Sequence, residues 1–281
     1  MPHRIPVYIF GGLLVAGALV AQPTNCTIDN VVGTYALAYQ GTVMVPASGS
    51  QPSAVLAAGL GLLSINWQGT ISGPAYATMG GKLSTSTMAG TMRVNSDCTG
   101  SIDWGAGSTA TFVIIDQGNE LNSMMLTAGG MGPVIYGTWK KISRATPQCS
   151  QDVVHGTYAF RHSGTTIMTP TGASQPTPVP GTTLGAGSAG YDGSMVASGT
   201  TAVGGQVMQF NTANGKVVVN SDCTLTLSAT IQVGGTAVGK TAWWGVALNF
   251  GNEIWGIQTQ DPSGGSPVVL GTWRRIAAMP Q

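Results

Sequence analysis

Apolar and polar positions alternate along this chain with a period of two. Tyr35, Leu37 and Tyr39 alternate with Thr34, Ala36, Ala38 and Gln40; much later, Tyr158, Phe160 and His162 alternate with Thr157, Ala159, Arg161 and Ser163. Successive side chains of a strand point to opposite faces, so each run predicts a half-buried strand carrying the first-named residues on its apolar face. Further β-rich runs follow at 90–94, 109–116, 120–127 and 134–142, and again at 216–219, 241–250, 253–259 and 268–276, punctuated by Gly, Asn, Ser and Asp. No window carries a capped apolar stripe of helical period. The expectation is an all-β protein with about eight short strands in each half, the number that closes a small barrel.

The halves also match residue by residue. CTIDNVVGTYAL from Cys26 is echoed by CSQDVVHGTYAF from Cys149, and Ser50-Gln51-Pro52 by Ser174-Gln175-Pro176. Val94-Asn95-Ser96-Asp97-Cys98-Thr99 corresponds to Val219-Asn220-Ser221-Asp222-Cys223-Thr224, and Gly118-Asn119-Glu120 to Gly251-Asn252-Glu253. Gly137-Thr138-Trp139-Lys140-Lys141-Ile142 corresponds to Gly271-Thr272-Trp273-Arg274-Arg275-Ile276. Blocks in a common order imply one unit used twice, at 22–146 and 147–281, with Pro147 marking the join. Each copy has one early and one central cysteine, so the economical pairing is Cys26 with Cys98 and Cys149 with Cys223, although four cysteines allow three connectivities.

Two antiparallel β-barrels in tandem are the expected architecture, because closure removes the exposed sheet edges; two β-sandwiches are the alternative. A first strand opening Gly-Thr-Tyr and a last strand bearing Gly-Thr-Trp with two basic residues resembles the calycin-type barrels, lipocalin-like and allene-oxide-cyclase-like. In lipocalins the tryptophan lies on the first strand and packs against a base from the last. Here Trp139 and Trp273 lie on the last strand. The blocks also resemble secreted bacterial proteins built from Gly-Thr-Tyr, Asp-Cys-Thr and Gly-Asn-Glu units, a likeness that implies a fold and no reaction.

Residues 1–21 read as a secretory signal: His3 and Arg4, then an uncharged stretch over 5–21 ending in Leu19-Val20-Ala21. The protein is therefore expected to be secreted, extracellular or periplasmic, with its cysteines oxidised and no transmembrane segment in the mature chain. Composition narrows the partners. The 281 residues include 11 basic and 10 acidic ones, 7% charged in all, against 43% hydrophobic. The only charge in 1–21 is Arg4, so the mature chain is neutral, which permits self-association. No basic stripe suggests nucleic acid, and the 43% hydrophobic content argues against disorder.

Candidate chemistry is sparse. There is no Gly-x-Ser-x-Gly elbow, His-Glu-x-x-His, phosphate loop or calcium loop. The clustered methionines suit core filling better than a metal, and no metal or cofactor is expected. Asn-Ser-Asp and Gly-Asn-Glu read as turns, Gly-Asn being a favoured hairpin connector. Trp139 with Lys141, and Trp273 with Arg275, predict an aromatic capped by a cation at the barrel seam. Of the adjacent Trp243 and Trp244, one must face outward, toward a partner or a domain interface. His162 stands where the first copy has Tyr39, and alternation puts Glu253 with Trp255 and Ile257, expected at the end of the barrel interior. A His162 and Glu253 pair there would be the candidate acid and base. Tyr39, His162, Glu253 and Trp255 are the candidate ligand-binding residues. The function expected is a non-enzymatic barrel protein that binds a small apolar ligand or an extracellular surface. The alternatives are a structural component of a matrix or surface layer, and an isomerase or cyclase acting in the second barrel.

Overall fold

The computed structural model describes residues 25–46, 52–129, 132–143, 147–169 and 175–277. The signal segment expected at 1–21 lies outside them. Sixteen strands form two closed antiparallel barrels of eight. The first contains β1 (Gly33–Val45), β2 (Ser53–Ile65), β3 (Thr70–Met79), β4 (Lys82–Val94), β5 (Thr99–Gly105), β6 (Ser108–Ile115), β7 (Glu120–Thr127) and β8 (Gly132–Ser143). The second contains β9 (Gly156–Met168), β10 (Thr177–Ala189), β11 (Ser194–Val203), β12 (Gln206–Val219), β13 (Thr224–Val233), β14 (Thr236–Leu248), β15 (Glu253–Gln260) and β16 (Ser266–Ala277). Each strand pairs with its sequence neighbour, and the ring closes where β1 meets β8 and β9 meets β16. The sandwich alternative is excluded, since no strand edge remains open.

Alternation decides what each barrel encloses. From β1 and β8, Tyr35, Leu37 and Trp139 point inward; from β9 and β16, Tyr158, Phe160 and Trp273 do the same. Large residues are seated on glycines of the neighbouring strand. A Cβ on Gly185 would lie 2.4 Å from the Phe160 ring, and one on Gly100 would lie 2.2 Å from Phe112. Volume is thus matched across strands rather than along them.

One end of each barrel is plugged in the same way. The disulfides Cys26–Cys98 and Cys149–Cys223 tie the incoming chain to the start of β5 and of β13. Short 3-10 turns, Ile28–Asn30 and Gln151–Val154, then lead into Val31 and Val154, which are buried as stoppers. The first-strand tyrosines are pinned there: Tyr35 Oη donates to Gly118 O at 2.6 Å and Tyr158 Oη to Gly251 O at 2.8 Å. Both glycines have left-handed backbone, φ 88° and 76°, and a Cβ on either would strike a carbonyl of the plug. The Gly-Asn pairs lie, as expected, in hairpin connections, β6 to β7 and β14 to β15, each followed by its Glu at the start of the next strand. Both connections have three left-handed residues, Asp116, Gln117 and Gly118 in one and Asn249, Phe250 and Gly251 in the other. The cation at the seam differs from expectation. Lys141 and Arg275 lie over the rings of Tyr35 and Tyr158, at 5.2 and 5.5 Å, not over the tryptophans. Asn-Ser-Asp is a turn in both halves, with Asp97 Oδ1 accepting from Thr99 N at 3.0 Å and Asp222 Oδ1 from Thr224 N at 2.9 Å.

The barrels meet wall to wall. The outer face of β14 and β15, with Trp244, Val246, Leu248, Trp255 and Ile257, packs on Ala36, Leu60 and Leu62 from the outer face of β1 and β2. Tyr76 stacks on Trp244 with ring centres 4.6 Å apart. Trp244 is thus the outward member of its pair, and what it faces is the neighbouring barrel.

Candidate functional site

The second barrel encloses a cavity of about 500 Å³. It runs from Val154 and Tyr158 at the plugged end toward Thr166, Asp261 and Ser263 at the other, and its wall is chiefly apolar: Phe160, Met208, Phe210, Leu227, Ile231, Trp243 and Trp273 among others. A volume of this size is in the range that receives a small organic molecule.

His162 stands in that wall. Its ring lies 5.0 Å from Phe160, 4.2 Å from Trp243 and 4.7 Å from Trp273. Gly271, opposite it on β16, provides the room, since a Cβ there would come within 2.5 Å of His162 Cδ2. Aromatic faces replace water around the imidazole, and burial pulls its pKa down from 6.5 to about 3. At neutral pH the ring is uncharged, and its Nε2 has no hydrogen-bond partner among the described residues. Beside it is a small polar cluster. Trp243 Nε1 donates to Thr241 Oγ1 at 3.1 Å, and Gln258 Nε2 donates to Thr241 Oγ1 at 3.2 Å and to Gln260 O at 3.1 Å. Those bonds use the amide hydrogens of Gln258 and leave its Oε1 as an acceptor with no donor from the described residues. Nearer the far end, Thr166 Oγ1 donates to Asp261 Oδ2 at 3.2 Å. The chamber is therefore apolar at depth, uncharged in the middle and polar toward the opening.

The expected acid and base pair does not form. Glu253 and Trp255 do share a face, but it is the outer one: the strand register aligns Glu253 with Arg274 while His162 aligns with Gly271 on the inner side. Glu253 lies in the contact between barrels. Its Oε2 accepts from Lys140 Nζ at 2.9 Å and its Oε1 from Trp255 Nε1 at 2.9 Å, with Arg274 at 3.8 Å. Burial alone would raise the Glu253 carboxyl, but the Lys140 and Trp255 hydrogen bonds and the two nearby cations hold it below the usual carboxylate value. Lys140 also lies over the Trp255 ring at 5.3 Å. Both residues act as docking groups, not as cavity wall. Tyr39 is inside the first barrel, its ring against Gly59, and burial pushes its hydroxyl up to about 12. Of the four expected ligand-binding residues, only His162 lines the cavity. Trp243, Thr241 and Gln258 were not singled out as cavity residues, though Trp243 and Gln258 each occupy an inward position on a recognisable strand.

The first barrel is filled at the matching level. Counting from Cys98 and Cys223, Trp104 corresponds to Ala229, and Trp104 stacks on Trp139 with centres 6.0 Å apart. Ala229 in contrast lines the cavity. Among the described residues no group of three or more His, Cys, Asp or Glu side chains comes together, and no helix is long and apolar enough to cross a membrane.

No family model matches this chain, and no curated protein does. Solved structures show remote likeness. A protein of unknown function from the DUF3598 family of Nostoc punctiforme is 10% identical, with 91% of this chain and 99% of that one covered and a TM-score of 0.23. An AttH candidate of Nitrosomonas europaea is 8% identical over 94% of this chain and 99% of that one, TM-score 0.30. A candidate outer membrane protein of Bacteroides fragilis is 14% identical over 88% and 98%, TM-score 0.23. At such scores the architecture rests on the strand pairing itself. The two disulfides indicate a non-cytoplasmic protein.

Proposed function

We propose that this protein is an exported, non-enzymatic binding protein that holds one small, uncharged, largely apolar molecule inside its second barrel. The division at 146/147 then separates a binding unit from a supporting one. The observation that carries this reading is the cavity of about 500 Å³ walled by aromatic and aliphatic side chains around a neutral imidazole. An ionised ligand group would meet no opposite charge at depth and would lose its hydration there, so a charged head belongs outside. The Gln258 carbonyl and the Thr166 and Asp261 pair suit a hydroxyl or amide group on the outward end of the ligand.

The test uses N-phenyl-1-naphthylamine, a neutral fluorescent hydrophobe, titrated into the protein. One site per chain is expected. Ala229→Trp, which places in the second barrel the ring that fills the first, is expected to abolish the fluorescence gain while the far-ultraviolet circular dichroism is unchanged. Binding that survives Ala229→Trp, or two equivalent sites per chain, refutes the proposal.

A further inference from the structure

The contact between the two barrels joins unlike faces. The second barrel contributes the outer face of β14, β15 and β16; the first contributes the outer face of β8, β1, β2 and β3. Because the strands correspond one to one, each barrel also owns the face that the other uses. On the first barrel, Trp244, Val246, Leu248, Trp255, Ile257 and Leu270 are matched by Thr111, Val113, Ile115, Asn122, Met124 and Tyr136. On the second, Ala36, Ala38, Leu60, Leu62, Tyr76 and Ile142 are matched by Ala159, Arg161, Leu184, Ala186, Thr200 and Ile276.

Both unused faces leave large apolar side chains in water. Met124 is 53% exposed and Tyr136 57% on the first barrel; Leu184 and Ile276 are each 62% exposed on the second. Met124 and Tyr136 are cross-strand neighbours, so they form one patch, continued by Leu126 at 52% and Val134 at 73%. The charges correspond too. Where Glu253 meets Lys140 inside the chain, the corresponding residues are Glu120 on the first barrel and, on the second, Arg274, whose guanidinium stands at the edge of the internal contact, 3.8 Å from Glu253, with its side chain 74% exposed. Arg161 adds a second cation on the same face as Arg274.

From this correspondence we infer that a second copy of the chain docks by repeating the internal contact, with the β6 to β8 face of one copy against the β16, β9 and β10 face of the next. Such a contact is heterologous: each copy uses one face and leaves the other open, so association continues along a line instead of stopping at a dimer. Thr111 and Asn122 replace Trp244 and Trp255, and no tether raises the local concentration. The contact between copies is therefore weaker than the internal one and shows at high protein concentration. A near-neutral chain, with 11 basic and 10 acidic residues, offers little repulsion against it. The inference is independent of what the cavity binds.

The experiment is sedimentation velocity on the full chain over a concentration series, with Met124→Asp and Leu184→Asp as probes. Both positions are on the outer surface, and unchanged thermal unfolding checks that each variant folds. The unsubstituted protein is expected to pass beyond dimers as concentration rises. Each variant alone is expected to associate at least about tenfold more weakly. An equimolar mixture of the two is expected to form dimers and nothing larger, because each retains the face that the other lacks. A chain that remains monomeric at every concentration, variants that associate as well as the parent, or a mixture no more associated than its components overturns the inference.

Discussion

Replacing His162 with Phe keeps an aromatic ring between Phe160, Trp243 and Trp273 and removes the titratable group. In the folded protein the imidazole loses its proton at about 3, against an ordinary value of 6.5. Below 6.5 the unfolded chain therefore takes up a proton that the folded chain refuses, and stability falls as pH falls. The stabilisation is fully present above 6.5 and is lost progressively toward 3. At about pH 5 the unfolded histidine is about 1.5 pH units into its titration and the folded one is still neutral. At roughly 1.4 kcal/mol per unit, that amounts to about 2 kcal/mol. The assay is urea unfolding at pH 7 and pH 5, followed by tryptophan fluorescence, since Trp243 and Trp273 report on this chamber directly. All other titrations are common to both proteins, so the quantity to compare is the difference between their pH dependences. The parent should lose about 2 kcal/mol more than His162→Phe between the two pH values. Parallel losses would mean that water or a relaxed wall reaches the imidazole, and the description of a dry, neutral chamber would be wrong.

The docking pair between barrels gives a second test. Lys140→Ala leaves the Glu253 carboxylate, 10% exposed, with only Trp255 and the more distant Arg274. Destabilisation of about 2 kcal/mol is expected by urea unfolding, between the values for surface and fully buried pairs. Lys140→Met with Glu253→Gln should recover all but about 1 kcal/mol, because no buried charge is then left unpaired, the Arg274 side chain being 74% exposed; no recovery would show that the bridge is not what Glu253 needs. Removing either disulfide by paired Cys→Ser substitution frees a loop with a sequence separation of 72 or 74 residues. The affected barrel should lose about 4 kcal/mol by the loop-entropy argument, read by differential scanning calorimetry. Equal destabilisation of both barrels by one pair would contradict their separate plugging.

The strands easiest to read were those with large side chains on one face. The first strand of each half and the runs leading into β6 to β8 and β14 to β16 stand close to where alternation puts them. β2, β3, β10 and β11 were harder to see for a physical reason. β10 reads Thr-Pro-Val-Pro-Gly-Thr-Thr-Leu-Gly-Ala-Gly-Ser-Ala, with glycines inward where Phe160 needs room, so the apolar side chain that fills its position belongs to another strand. Periodicity within one segment cannot register volume supplied by a neighbour. The same limit explains Glu253. Alternation correctly grouped it with Trp255 and Ile257, but period two gives two faces without saying which is inside. A barrel wall against another barrel is apolar on both sides, and the usual cue of a polar outer face disappears there.

The same architecture encloses two different interiors. Across β5 and β6 of the first barrel, Ile102 faces small Ala110; in the second barrel the corresponding Leu227 faces Trp243 on β14, and Ala229 stands where the first barrel has the β5 ring Trp104. The large ring has moved to the adjacent strand. A similar exchange occurs one layer down, where Phe112 sits on Gly100 in the first barrel and Leu225 sits on Gly245 in the second. This last exchange conserves the pairing of a large residue with a small one, so both cores remain packed near the plug. The layers above differ. Tyr39 lies on Gly59 and Trp104 stacks on Trp139, whereas His162 faces Thr183 across the strand pair and Ala229 leaves its place open. The second barrel thus has less side-chain volume in its middle layers, while the first is packed at that level by Trp104 on Trp139 and presents Leu60, Leu62 and Lys140 as the wall on which the hollow barrel sits.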